Sequence, residues 1–308
     1  LLNYLRPCME QFFSNEELFF LFRNNKWILL LLIQKDIIII DDFIFGQIIK
    51  TSHSKGKEYF FYFWTEIKSF YNFKNQLLFE EELLSYDSNI LHNFEEKRKI
   101  GENESYICEL IRNDSIDEFI TYVSQTNTPI SQTIKRSIFE TNPFLLKNQG
   151  KTTYIEYAAF FGSIQILQYL RLNDIELKPS LWLYSIHGEN AEMIHFLEQN
   201  RVSPPENDKS YEKCLEEAIK CHHNNIAVYI QSNLLNERIE SNNLQNNFNK
   251  NSISYCFHYL NFELFPEAFD NKYIFYYACR YGFLNLVEFL YENNEINLKE
   301  KIKIDIQK

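Results

Sequence analysis

The sequence is poor in the residues that make tight turns. Gly and Pro number only 7 each among 308 residues. A large β-sandwich or barrel needs such residues at most of its hairpins, so their scarcity argues against these folds. Hydrophobic residues make up 45% of the chain, which is enough for a packed interior. We therefore expect an all-α protein with short polar connectors.

Basic charge is also scarce relative to acidic charge. The chain has 31 Lys and Arg against 42 Asp and Glu, a formal net charge of −11. A surface of that sign repels phosphate backbones, so no nucleic-acid partner is expected. The basic cluster Lys97–Lys99 directly follows Glu95 and Glu96, and we interpret it as a solvated helix face or linker.

Long apolar runs are missing as well. The segment Trp27–Ile33 is apolar, but polar residues at 34–36 separate it from Ile37–Ile40, and neither part approaches the ~20 residues that span a bilayer. We expect no membrane partner and keep membrane association through Trp27–Ile40 as a minor alternative. The first residue is Leu and no signal peptide pattern follows, so the true start is expected to be missing.

The cysteines lack the spacing of a disulfide framework or a zinc site. Scattered thiols suit a reducing compartment, so we expect a cytoplasmic protein with buried, unpaired cysteines. The six are Cys8, Cys108, Cys214, Cys221, Cys256 and Cys279.

What the chain does contain is an internal repeat. Residues 158–170 (AAFFGSIQILQYL) align with residues 278–290 (ACRYGFLNLVEFL), so that small residues, glycines and aliphatic residues coincide. A period near 30 residues is typical of a helical solenoid. Weaker copies begin at Ser185 and Ala218, and more degenerate ones lie at residues 21–33, 110–122 and 255–265.

Each position of the repeat has a physical reason. A small residue at the start, such as Ala158, lets neighbouring helices approach closely. The glycine four residues later, Gly162, supplies the left-handed conformation that ends the first helix. The aliphatic residues that follow, Ile166, Leu167 and Leu170, form one face of a second helix. A helix pair of this kind buries its apolar face only by stacking on its neighbours.

These residues resemble a known family. The stretch 153–159, with Gly162 and Ile166 after it, resembles the ankyrin consensus, although Tyr154 and Glu156 replace the usual proline and histidine. Glu189 and His222 stand where the helix-ending glycine is expected, which leaves the regularity of those two turns open. Further similarity to a large protist family of divergent ankyrin-repeat proteins with an N-terminal helical region lies in residues 107–123, 137–142 and 182–188.

The resemblance implies an ankyrin-like helix-pair solenoid preceded by an N-terminal helical region. We assign residues 1–104 to that region, as a degenerate repeat or cap. Residues 105–308 are assigned to about five to six ankyrin-like units, the last complete or cut short. Within the first region, Ser14 and Glu17 have the spacing of a capping box and predict the start of a helix.

Catalytic motifs are not found. Residues 148–153 look like the end of a phosphate-binding loop, but Leu145 occupies the position of the required second glycine. Cys214, Cys221, His222 and His223 lack zinc-site spacing, and we interpret them as buried thiols beside helix-end histidines. We predict a non-enzymatic protein without catalytic residues, metal or cofactor. The alternative is an enzyme or nucleotide-binding module within the N-terminal region.

From the repeat architecture and the missing catalytic motifs we predict a monomer that binds a protein partner. In ankyrin arrays the first helices and the loops before them line a concave surface. Tyr157, Tyr184 and Tyr277 share one repeat position and form either an aromatic contact stripe or packing between units. Trp182 is predicted to be core. The predicted partner-binding residues are Tyr157, Phe160, Phe161, Tyr184, His187, Glu217, Lys220, Tyr277, Arg280 and Tyr281.

Overall fold

The chain is predominantly helical, which confirms the expected all-α class. The computed structural model describes residues 6–7, 9, 11–86, 90–205, 211–235, 251–265 and 271–293. Within these ranges no strand forms, and one isolated antiparallel bridge joins Thr133 to Thr153. No helix in the described part of the chain combines the length and apolar character needed to cross a bilayer.

The chain divides into two compact units, residues 1–154 (unit 1) and residues 155–308 (unit 2). The predicted boundary between residues 104 and 105 rests on where the repeat pattern begins, whereas the two units are defined by compactness. That boundary stays a prediction. Cys8 and the end of the last predicted repeat, beyond residue 293, lie outside the described residues.

Unit 1 is organised around aromatic side chains. The run Tyr59–Trp64 is buried throughout, and Phe19 and Phe139 are fully buried in the same core. The helix Asn15–Phe22 begins with the predicted capping box, since Ser14 and Glu17 each accept a hydrogen bond from the other's backbone N–H. Its helices are α1 (Asn15–Phe22), α2 (Lys26–Gln34), α3 (Asp42–Lys55), α4 (Lys57–Tyr62), α5 (Trp64–Ile67), α6 (Phe73–Tyr86), α7 (Phe94–Ile100), α8 (Tyr106–Arg112), α9 (Ile116–Thr126) and α10 (Pro143–Lys147), with a 3-10 turn at Lys68–Phe70.

A buried ion pair joins α7 to the aromatic core. The Arg98 side chain is 1% exposed and forms a two-pronged contact with Glu66, at 2.7 and 2.8 Å. The interpretation of Lys97–Lys99 as a solvated helix face or linker is therefore wrong for Arg98. Arg98 also donates to Glu95 at 2.6 Å and to the carbonyl oxygen of Tyr62 at 2.9 Å. These contacts compensate for removing the guanidinium from water.

Unit 2 consists mainly of short helices in pairs. Four pairs of the described residues follow the predicted repeat, and the copy at 255–265 has a full first helix only. The helices are α11 (Tyr154–Phe161), α12 (Ile164–Leu172), α13 (Leu181–His187), α14 (Ala191–Gln199), α15 (Glu212–Lys220), α16 (Asn224–Tyr229, continued by a π-helical turn at Ile230–Leu235), α17 (251–258), α18 (Asn271–Tyr281) and α19 (Leu284–Glu292), with a 3-10 turn at Phe262–Leu264.

One turn recurs between the two helices of every pair. The residue after the turn donates its backbone N–H to the carbonyl of the small residue that starts the repeat, at 2.9 to 3.1 Å, which is the Schellman arrangement. The donor and acceptor residues are Ser163 and Ala158, Asn190 and Ser185, His223 and Ala218, and Phe283 and Ala278. The four small residues are all fully buried, as the repeat predicts.

The turn forms whether or not glycine occupies its left-handed position. Gly162 and Gly282 have φ of 74° and 79°, and Glu189 and His222 adopt φ of 54° and 58° at the equivalent places. The two turns without glycine are therefore as regular as the others. The left-handed conformation costs a residue with a Cβ roughly 1–2 kcal/mol, so packing around these turns must offset that cost.

Two less regular copies share the same turn. In unit 2, Leu260 has φ of 58° and Asn261 N–H donates to the carbonyl of buried Cys256 at 2.9 Å. In unit 1, Asp114 has φ of 49° and Ser115 N–H donates to Leu110 at 3.0 Å, which joins α8 to α9. The local rule of the repeat is thus present where the sequence match is weak.

The second helices bury the predicted aliphatic face. Leu286 and Val287 of α19 are half-buried, whereas the corresponding residues of the three preceding pairs are almost completely buried. The buried residues of this set are Ile166, Leu167, Leu170, Met193, Ile194, Leu197, Ile226, Ala227, Ile230 and Leu290.

Consecutive pairs of unit 2 contact one another in chain order. α11 and α13 approach so closely that a Cβ added to Gly188 would lie 1.7 Å from the carbonyl oxygen of Phe160. The Asn261 amide donates to the carbonyl of Ile219 at 2.9 Å and so joins α15 to the copy that follows. Predicted core residue Trp182 is fully buried and donates its indole N–H to Val202 at 3.0 Å, which confirms that prediction.

Candidate functional site

The predicted partner-binding residues differ widely in exposure. Tyr157 and Tyr184 are buried at 0% and 5%, so they pack inside the unit and offer little surface to a partner. Phe160 is also buried, at 8%. Lys220 and Arg280 are exposed. Half-buried residues complete the set: Phe161, His187, Glu217, Tyr277 and Tyr281.

The solvent-facing part of this set lies at the ends of the first helices rather than along the tyrosine positions. Repeat spacing identifies residues on one helix face, but it does not say which of them the next pair covers. The role of all ten residues in partner binding stays a prediction.

Several of these residues meet between α13 and α15. His187 Nε2 lies 2.9 Å from a carboxylate oxygen of Glu217, and Lys220 Nζ lies 3.0 Å from the same oxygen. Cys221 Sγ lies 3.3 Å from His187 Nδ1. Two consecutive repeats therefore supply a cluster of one histidine, one carboxylate, one ammonium and one thiol.

The charges of the cluster set the protonation of its acid and its thiol. Burial alone raises the pKa of the Glu217 carboxyl, but hydrogen bonds and charge from His187 and Lys220 outweigh it and lower this pKa to about 2. Burial, followed by the negative charge of Glu217, raises the pKa of the Cys221 thiol to about 11. At neutral pH the cluster thus holds a carboxylate beside a neutral thiol.

Cys221, His187 and Glu217 lie in the order of a nucleophile, a base and an acid. The electrostatics of the cluster oppose nucleophilic chemistry. A thiol nucleophile needs a lowered pKa, as at a helix N-terminus. Cys221 instead caps the C-terminus of α15, where the partial charge is negative. We interpret the cluster as an ion-pair network that joins α13 to α15.

Among the described residues, the same cluster has a geometry that could hold a metal ion. His187, Glu217 and Cys221 offer one ligand atom each, all within 4.8 Å of one another, and zinc accepts nitrogen, oxygen and sulfur ligands. The Lys220 ammonium beside Glu217 opposes a second cation there.

The set Cys214, Cys221, His222 and His223, which are near one another in the sequence, does not come together at one site. Cys214 is buried, His222 contacts the carbonyl oxygen of Tyr259, and His223 contacts Glu189. The sequence pattern missed His187 as the neighbour of Cys221 because the two are far apart in the chain. Cys221 directly follows Lys220, which has the same repeat position as His187, so the repeat register was the signal that could have found them.

Unit 1 contains a separate cavity of about 550 Å³. It lies between the start of α2, the end of α3, the start of α4 and the segment 136–149. Its lining has four basic residues and one acidic residue, together with polar and apolar side chains. The lining residues are Asn24, Lys26, Ser54, Lys55, Glu58, Tyr59, Arg136, Pro143, Leu146, Lys147 and Gln149.

The most deeply buried of these residues is Lys26, at 3% exposure. Its ammonium donates to the carbonyl oxygen of Ile138 and lies 4.5 Å from the centre of the Tyr62 ring. Burial lowers the pKa of Lys26 and raises the pKa of the equally buried Glu140, and attraction between the two opposes both shifts. Charged groups buried in this way are uncommon and often accompany a functional site.

No sequence pattern indicates this cavity. Lys26 directly precedes an apolar run and belongs to no motif. Arg136 and Lys147 lie in the part of the chain that least resembles the repeat. Basic residues at 26, 55, 136 and 147 share no spacing, so only the fold brings them together.

Comparison with protein-family models, with curated proteins and with solved structures finds no match to this chain.

Proposed function

We propose that unit 2 is an ankyrin-like solenoid that acts as a non-enzymatic scaffold and binds a protein partner through its first helices. The observation that carries the proposal is the repeated turn, with a buried small residue, a left-handed residue and one N–H···O=C bond in each of four pairs. A stack of equal elements presents equivalent positions in a row, which is how repeat proteins build extended binding surfaces.

The chemistry of the exposed first-helix ends suits a protein surface. Lys220 and Arg280 supply exposed charge, and Phe161 and Tyr281 add half-exposed aromatic rings. Aromatic residues and arginine are enriched among residues that dominate protein–protein binding energy. The net charge of −11 supports a protein partner over nucleic acid, and we propose a cytoplasmic monomer.

Site-specific photo-crosslinking in the source cell tests this proposal. A benzophenone amino acid would replace Phe161 or Tyr281 on the first helices. Matched controls would carry it at Leu172 or Phe289, which are exposed at 84% and 56% on the second helices. We expect one discrete protein adduct from the first-helix positions and none from the second-helix positions.

Adducts of equal yield from all four positions would contradict the assigned face, because the partner would then show no preference for the first helices. No adduct from any first-helix position, with the protein folded, would contradict partner binding by this face.

A further inference from the structure

The cavity of unit 1 has a charge opposite to that of the whole chain. Lys55, Arg136 and Lys147 outnumber Glu58, the single acid of the lining, whereas the chain carries a net charge of −11. Lys26 adds less charge, because its ammonium donates to the carbonyl oxygen of Ile138 and burial lowers its pKa. A concave site lined by one sign of charge focuses the electric field and concentrates ions of the opposite sign. The cavity therefore attracts anions despite the acidity of the protein.

Part of the positive charge is held in place by the fold. Arg136 Nε lies 3.3 Å from Glu58 and its Nη2 donates to the carbonyl oxygen of Lys55 at 3.3 Å. These contacts fix the guanidinium at the junction of α3 and α4, where Gly56 has φ of 102° and leaves room for it. The Lys55 ammonium lies 5.5 Å from the centre of the Tyr59 ring, so the cavity lining contains a second cation.

The cavity also has the size and apolar walls of a small-molecule site. Ligand sites commonly enclose about 300–1,000 Å³, and this one encloses about 550 Å³. Tyr59, Pro143 and Leu146 supply a ring and aliphatic surface beside the basic residues. A ligand with one anionic end and one compact, uncharged body fits both parts of the lining.

We propose that this cavity binds a small molecule through a phosphate group. An arginine with several lysines suits a multiply charged tetrahedral anion, because the guanidinium offers paired donors and each ammonium adds a point charge. A single carboxylate would engage fewer of these cations. The proposal is independent of partner binding by unit 2.

Calorimetric titration of the full chain tests it. The probes are adenosine monophosphate and inorganic phosphate, with adenosine and acetate as the uncharged and carboxylate controls. We expect saturable binding of adenosine monophosphate, weaker binding of phosphate, and no binding of adenosine or acetate at the same concentrations.

Two variants assign the binding to the cavity. Lys55→Met combined with Lys147→Met removes two cations, and at least about a tenfold loss of affinity is expected for each charge-assisted contact removed. Lys74→Met removes an exposed charge from α6, outside the lining, and should bind as the wild type does. Circular dichroism would check that both variants fold.

Three results would overturn the proposal. One is the failure of both phosphate probes to bind the folded full chain. Another is unchanged affinity in the double variant, since the anion would then bind elsewhere. The last is equal binding of acetate and phosphate, which would show that the cavity does not select a phosphate group.

Discussion

The two units handle buried polarity differently. All four charged side chains that are buried among the described residues belong to unit 1: Lys26, Glu58, Arg98 and Glu140. In the described part of unit 2 the buried polar side chains are neutral: Ser163, Ser185 and Asn261. Burying a charge is costly unless partners compensate, so unit 1 depends on particular contacts, whereas unit 2 depends on one small set of contacts used repeatedly.

This difference separates two ways of positioning functional groups. Repetition in unit 2 gives a row of equivalent helix ends, and single residues can vary as long as the turn survives. Unit 1 has no such redundancy, because each buried charge has its own partners. Substitutions in unit 1 charges should therefore cost more than most substitutions in the repeat.

The largest effect is expected for Arg98→Met. It leaves the partly buried Glu66 carboxylate without its two-pronged partner, so the free energy of unfolding should fall by about 3–5 kcal/mol. Lys57→Met is the matched control, because it removes an exposed pair with Glu82 and should cost under ~1 kcal/mol. Urea denaturation measures both. Equal losses would show that burial does not determine the cost of these pairs.

A smaller effect is expected for Gly188→Ala in unit 2. The added Cβ would lie 1.7 Å from the backbone carbonyl oxygen of Phe160, so α11 and α13 must separate, at about 1–3 kcal/mol. Gly46→Ala in α3 meets no atom within 4 Å and should stabilise unit 1 by about 0.5–1 kcal/mol. Thermal unfolding compares the two; tolerance of Gly188→Ala would contradict the close approach.

The repeated turn predicts opposite effects at equivalent positions. Gly282→Ala meets no atom within 4 Å, so its expected loss of about 1–2 kcal/mol comes from the left-handed backbone alone. Glu189→Gly relieves the same strain and should stabilise by about 0.5 kcal/mol, since the greater freedom of unfolded glycine and the loss of the surface contact with His223 offset part of the gain. Changes of the same sign in urea denaturation would show that the two turns are not equivalent.

The smallest effect concerns pH. The folded-state pKa of Glu217 is lowered to about 2, below its ordinary value, so its contribution to stability is present above about pH 4.5. That contribution is lost as the pH falls toward 2. Glu217→Gln should therefore reduce the loss of stability between pH 5 and pH 3 relative to the wild type, measured by urea denaturation. An unchanged pH profile would exclude the His187–Glu217–Lys220 network.

The sequence predicts much of unit 2 and little of unit 1. The periodic spacing of small, left-handed and aliphatic positions is a local signal. The spacing alone predicts that Ala158, Ser185 and Ala218 lie at helix contacts, and all three are fully buried. Exposure within the repeat could not be assigned in the same way. Tyr157 is fully buried whereas Tyr277 at the same repeat position is half-buried, so exposure depends on packing beyond one repeat.

The cavity of unit 1 could not be predicted because its lining comes from segments that are distant in sequence. Lys26 precedes an apolar run and Arg136 follows the α8–α9 pair, so neither stands in a recognisable motif. The capping box at Ser14 and Glu17 was predictable for the opposite reason, since both residues act within one helical turn.

Amide hydrogen exchange at the four turns tests most directly whether unit 2 repeats one structural element. The N–H groups of Ser163, Asn190, His223 and Phe283 each donate to the small residue that starts their repeat. We predict that all four exchange as slowly as amides in the adjoining helices, including Asn190 and His223, whose turns lack glycine. Exchange of those two amides at the rate of an unfolded peptide, with Ser163 and Phe283 protected, would contradict the repeat.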